Sequence, residues 1–102
     1  MKNTIKTAQL RTMALTNMGN AGNLTVKGYL NSYNRANTIH MKYQDSSGDR
    51  NIVDIHVTEN MCSVRHVMQV KENLKWTSFH TAHYWMTTFE EVLNDLNKQA
   101  KI

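Results

Sequence analysis

Five histidines and one cysteine lie among the 102 residues of this chain, and two spacings between them have the right residue types for chemistry. "CSVRH" places Cys62 four residues before His66, and "HTAH" places His80 three residues before His83. A nucleophilic cysteine needs a base within hydrogen-bond reach. Residues four apart on a strand are separated by about 13 Å, so Cys62 and His66 pair only if their segment is helical. Zinc accepts both residue types, but a structural site closes a shell of four ligands. The spacing here is not that of a zinc finger. His66 falls on the apolar face of an alternating stretch, where a histidine satisfied within the core is the commoner outcome. Cys62 reads as a small buried hydrophobe. No metal and no cofactor are expected.

The carboxylates offer no catalytic pair. Glu90 and Glu91 are adjacent in a helical pattern and point about 100° apart. They suit the start of a helix, where the dipole favours negative charge. Asp45 and Asp49 bracket "SSG", the composition of a tight turn. A calcium loop would need more oxygens and a late glutamate. The patterns GxGxxG, GxxxxGK[ST] and HExxH do not occur. The expectation is a protein without enzymatic activity.

Charge is distributed unevenly. Residues 1–44 hold Lys2, Lys6, Arg11, Lys27, Arg35 and Lys42 and no acid, whereas residues 45–102 hold six basic and eight acidic residues. A basic half joined to a mildly acidic half points to an anionic partner for the first. The longest apolar runs are three residues, Met13–Leu15 and Tyr84–Met86, against the roughly 20 of a membrane-spanning helix. The first 20 residues lack the apolar core of a secretory leader. A lone cysteine fits a reducing compartment, so a cytoplasmic location is expected.

The surrounding pattern decides how these residues are presented. Residues 3–18 read as a helix capped by Asn3 or Thr4, with Ile5, Ala8, Thr12 and Leu15 on one stripe and Gly19 as its stop. The period then changes to two. Leu24, Val26, Gly28 and Leu30 alternate with polar neighbours, as do Ile39, Met41 and Tyr43, then Val53, Ile55 and Val57, then Cys62, Val64, His66, Met68 and Val70. Turn residues in "NRA", "QDSSGD" and "EN" separate them, and such short links favour antiparallel neighbours. "LKWTSF" (74–79) can add a fifth strand. The chain closes with Phe89, Val92, Leu93, Leu96 and Ala100 at helical spacing. Thr87 and Thr88 offer capping boxes to Glu90 and Glu91. Alternatively the helix begins near Thr81 and includes Ala82, Trp85 and Met86. The fold class is therefore α+β: one domain over residues 1–102, an antiparallel meander of four to five strands flanked by an N-terminal and a C-terminal helix.

If Val26, Leu30, Ile39 and Met41 face the core, then Thr25, Lys27, Tyr29, Asn31 and Tyr33 face outward. Arg35 sits in the turn, and His40 and Lys42 extend the set on the next strand. Lysine and arginine neutralise phosphates, and tyrosine faces stack on bases. The candidate surface is Lys27, Tyr29, Tyr33, Arg35, His40 and Lys42, widened by Arg65, Gln69 and Lys71 if the fourth strand lies nearby. The expected partner is nucleic acid, single-stranded or duplex. "KGYLNSYNRANTIHM" resembles the first signature of Sm-like RNA-binding proteins through Gly28, Leu30, Asn34 and Asn37. Their second signature, Ile-Arg-Gly, is replaced by "SVRHV", so neither the family nor its sites are carried over. The competing expectation is a regulator of phage or mobile-element type that inhibits a host enzyme or defence complex. It would use a sheet edge with Trp76, Tyr84 and Trp85 as anchors. A homodimer is compatible with either. No membrane partner is expected. All depends on which sheet face the helices cover.

Overall fold

The computed structural model describes residues 2–31 and 36–100. The alternating segments form strands β1 (Gly22–Asn31), β2 (Ala36–Gln44), β3 (Arg50–Val57) and β4 (Cys62–Glu72), and a fifth, β5 (Lys75–Met86), follows. Helix α1 (Thr7–Asn17) precedes them and α2 (Phe89–Ala100) closes the chain. All neighbours pair antiparallel in the order β1-β2-β3-β4-β5, which is the meander expected from the short links.

One sheet face is dry. Val26, Ile39, Met41, Tyr43, Val53, Ile55, Val57, Cys62 and Val64 form a single buried cluster with Leu10 and Ala14 of α1. Phe89, Val92, Leu93, Leu96 and Ala100 of α2 join the same cluster. Both helices therefore cover one face and leave the other uncovered. The α2 stripe is the one expected from its spacing. Its start is also one of the two expected: the Glu91 N–H donates to Thr88 Oγ1 at 3.2 Å, and the Thr88 hydroxyl donates to Glu91 Oε1 at 3.0 Å. The alternative start near Thr81 is wrong, because Thr81–Met86 belong to β5 and take their backbone partners from β4.

The first helix departs further from expectation. It begins at Thr7 rather than residue 3, and Lys6 holds the cap position without a side-chain hydrogen bond. Its buried stripe is Leu10 and Ala14, continued by Met18, whereas Ile5 and Leu15 are exposed. Asn3 serves the other helix. Its Oδ1 accepts the Phe89 N–H at 2.9 Å, from 86 residues away, and its Nδ2 donates to the carbonyls of Thr58 and Thr87. One amide thus ties the N-terminal segment, the β3–β4 turn and the start of α2 together.

Gly28 and Asn37 dock α1 on the sheet. A Cβ at Gly28 would lie 2.5 Å from Thr7 Cγ2 and 3.1 Å from Ile39 Cδ1. Asn37 is buried, donates to the Ile5 carbonyl and accepts the Thr7 hydroxyl at 2.6 Å. Gly28→Val is expected to push α1 off β1 and cost about 1–3 kcal/mol, as overpacking does. Urea unfolding monitored by circular dichroism measures it. An unchanged midpoint would mean that α1 does not rest on Gly28. Leu30, also expected in the core, is 63% exposed, because α1 begins beside Gly28 and does not reach over it.

Candidate nucleic-acid interface

The alternation that buries Val26 and Gly28 turns Lys27 and Tyr29 to the uncovered face. Strand register then aligns the outward side chains in rows across the sheet. Lys27, His40, Asp54, Arg65 and His83 are successive cross-strand partners from β1 to β5. Tyr29, Thr38, His56, Ser63 and Trp85 form the row on one side of them. Thr25, Lys42, Ile52, Val67 and Thr81 form the row on the other. Arg50 is paired with Gln69 beyond that row, and Lys71 with Trp76.

Four of the six predicted residues, Lys27, Tyr29, His40 and Lys42, thus share one face. Tyr33 and Arg35 lie outside the described residues. Lys27 and Lys42 are exposed, and Tyr29 is 52% exposed. His40 is half-buried, with Nδ1 2.6 Å from Asp54 Oδ1. Asp54 is the one acid among the described residues of this face, and His40 already occupies one of its oxygens. Five fixed cations share the face: Lys27, Lys42, Arg50, Arg65 and Lys71. Among the described residues none of the five makes an ion pair. The other acids of the chain lie in turns, on α2, or at the end of β4, where Glu72 has the parity of the helix-covered side, so the sheet separates charge by face as well as by sequence half.

Arg50, Trp76 and Trp85 are not among the residues expected to bind nucleic acid; the two tryptophans enter the sequence reading as anchors for a protein partner. Arg50 opens β3 with the same outward parity as Asp54. Its Nε donates to Gln69 Oε1 at 2.7 Å, and its guanidinium carbon lies 4.8 Å from the Trp76 ring centre. Lys71 Nζ lies 5.9 Å from the same ring. Trp85 is 66% exposed. Continued unbroken, the period of two that turns Trp76 outward would have turned Trp85 inward; the register shift opposite Met68 and Gln69, which skips Phe79, brings both rings to the same face.

The chemistry weighed for cysteine and histidine resolves into structure. Cys62 and His66 lie four cross-strand pairs apart on β4 and both face the core. Burial, helped by Glu91, pushes the Cys62 thiol up to about 12, so no thiolate forms near neutral pH. His66 is buried, and its Nε2 lies 2.6 Å from Asn51 Oδ1. His80 faces the helix side with Met68, whereas His83 faces the open side with Arg65. Among the described residues no three His, Cys, Asp or Glu side chains are grouped to hold a metal ion. Among them, too, no helix is long and apolar enough to cross a membrane. No protein-family model, curated protein or solved structure matches this chain.

Proposed function

We propose that this chain is a non-enzymatic binding domain that engages nucleic acid through its open sheet face. The observation that carries this reading is the composition of that face: five fixed cations and three aromatic rings against a single acid already bonded to His40. Phosphates would be neutralised by Lys27, Lys42 and Arg65, with the Tyr29 and Trp85 rings left for stacking. Tyr33 and Arg35 would extend the surface from the β1–β2 connection. The open face reads phosphates rather than base edges, so little sequence selectivity is expected.

The test is fluorescence anisotropy of labelled RNA and DNA at several salt concentrations. Binding should weaken steeply with salt, because each neutralised phosphate releases counterions. The double variant Lys27→Glu/Arg65→Glu should bind more than tenfold more weakly. For a single strand its log–log salt slope should be shallower by about 1.4, roughly 0.7 for each lost contact. Salt-independent binding, or the same affinity in the variant, rules the reading out.

A second reading has its own observation. β5 is a sheet edge of 12 residues, and the buried hydroxyl of its own Tyr84 makes no hydrogen bond among the described residues. A cytoplasmic regulator that pairs a strand of a host protein with β5 would use that edge. Such a contact would be insensitive to salt and to Lys27→Glu/Arg65→Glu.

A further inference from the structure

We infer that the ligand of the open face is a single strand, RNA or DNA, laid across the β-strands with one base stacked on Tyr29 and another on Trp85. The inference rests on the nucleic-acid reading above and names its ligand class. Tyr29 and Trp85 end the same row, one on each edge strand, and both rings are more than half exposed. The residues between them, Thr38, His56 and Ser63, are smaller, and the Thr38 hydroxyl is held 2.9 Å from His56 Nδ1. The two rings therefore stand at the ends of a lower, polar path. Four interstrand steps of roughly 4.8 Å separate them by about 19 Å. The adjacent row supplies Lys27 and Arg65 for the phosphates of a strand running in that direction.

Duplex DNA fits this surface poorly on two counts. Its major groove is about 12 Å wide and admits a helix or a two-stranded ribbon, not a five-stranded face. Its bases already stack on one another, so rings at the sheet edges would find no free base. A single strand can splay its bases onto aromatic side chains. Trp76 is a different kind of ring. Arg50 and Lys71 already lie over it, so it serves the cations rather than a base.

The experiment titrates the whole chain with one short labelled oligopyrimidine as RNA, as DNA and as the DNA duplex. Wild type is compared with Tyr29→Ala, Trp85→Ala and Trp85→Phe. Either single strand should bind at least tenfold more tightly than the duplex. Each alanine variant should lose about 5- to 150-fold for the single strand, the measured range for one stacked base, with the salt slope unchanged. Trp85→Phe should recover most of the loss. Bound single strand should quench tryptophan emission in wild type but not in Trp85→Ala, where only Trp76 remains. Equal or tighter duplex binding with no loss in Trp85→Ala overturns the single-strand inference and leaves the basic-face reading standing. A single-strand preference that survives both alanine changes overturns the stacking row. Failure to bind any of the three at low salt overturns both readings.

Discussion

Phe89→Ala is expected to remove about 3–5 kcal/mol of stability, a large share of what a domain of this size holds. Phe89 is fully buried and is the first residue of α2. Its backbone N–H is also held by Asn3, so the ring and the cap act at the same point. Truncation would leave a cavity between α2 and the sheet that rigid strands cannot collapse to fill. Urea unfolding followed by circular dichroism gives the midpoint and slope. A loss below 1 kcal/mol would mean that α2 is not docked through Phe89. The paired comparison of Leu10→Ala with Leu15→Ala tests the first helix in the same assay. Leu10 is buried and should cost about 2–5 kcal/mol, while exposed Leu15 should cost little.

That comparison probes the element the sequence describes least well. α2 was legible because its apolar residues form one stripe and its polar residues the opposite one. α1 lacks this contrast. Ile5, Ala8 and Leu15 compete with Leu10, Met13 and Ala14, and either set spaces acceptably. The choice is made by tertiary contacts: Gly28 and Asn37 seat the start of the helix at Thr7, which turns Leu10 and Ala14 inward. Neither contact is visible from the helix's own residues. Asn3 shows the same limit. Its cap was assigned to the nearest helix, whereas the fold brings it to the far one.

β5 was half legible for a related reason. Ala82, Tyr84 and Met86 fit a strand face, but Ala82, Trp85, Met86 and Phe89 also fit a helical stripe. A backbone partner decides between them, and β4 provides one on both sides of the register shift at Phe79, including all of Thr81–Met86. The consequence reaches the candidate site, because Trp85 counts as an outward strand residue only once β5 is a strand. Lys27, Tyr29, His40 and Lys42 were legible because β1 and β2 alternate cleanly. Gly28 and Asn37, which carried the Sm-like resemblance, have a local explanation: one admits Thr7 to the sheet and the other bonds it.

The buried polar chain beneath the β2–β3 turn makes the last prediction. Asn51 Nδ2 donates to Asp45 Oδ2 at 3.0 Å and to the Asp49 carbonyl at 3.1 Å. Its Oδ1 is then left to accept, so His66 Nε2, 2.6 Å away, carries the hydrogen. Asp45 Oδ1 accepts the N–H groups of Ser47 and Asp49, while Gly48, at φ 85°, supplies the left-handed residue of the turn. The histidine, the asparagine and the turn therefore form one unit. Asn51→Leu would leave a buried imidazole N–H without a partner and is expected to cost about 1–3 kcal/mol. Burial, seconded by His80, lowers the His66 pKa against the opposing pull of Asp95 and Asp45. The unfolded chain thus takes up a proton near the ordinary value of about 6.5 while the folded one resists it. Stability is full above that pH and falls as pH drops below it, by up to about 1.4 kcal/mol per unit, until the folded pKa is passed. His66→Gln keeps a hydrogen-bond donor but cannot titrate. Its urea midpoint should change less than that of wild type between about pH 6.5 and 5, above the range where ordinary carboxylates protonate. Parallel midpoint profiles for the two proteins would mean that His66 accepts a proton in place, and that the Asn51 oxygen tolerates an imidazolium as well as a neutral ring.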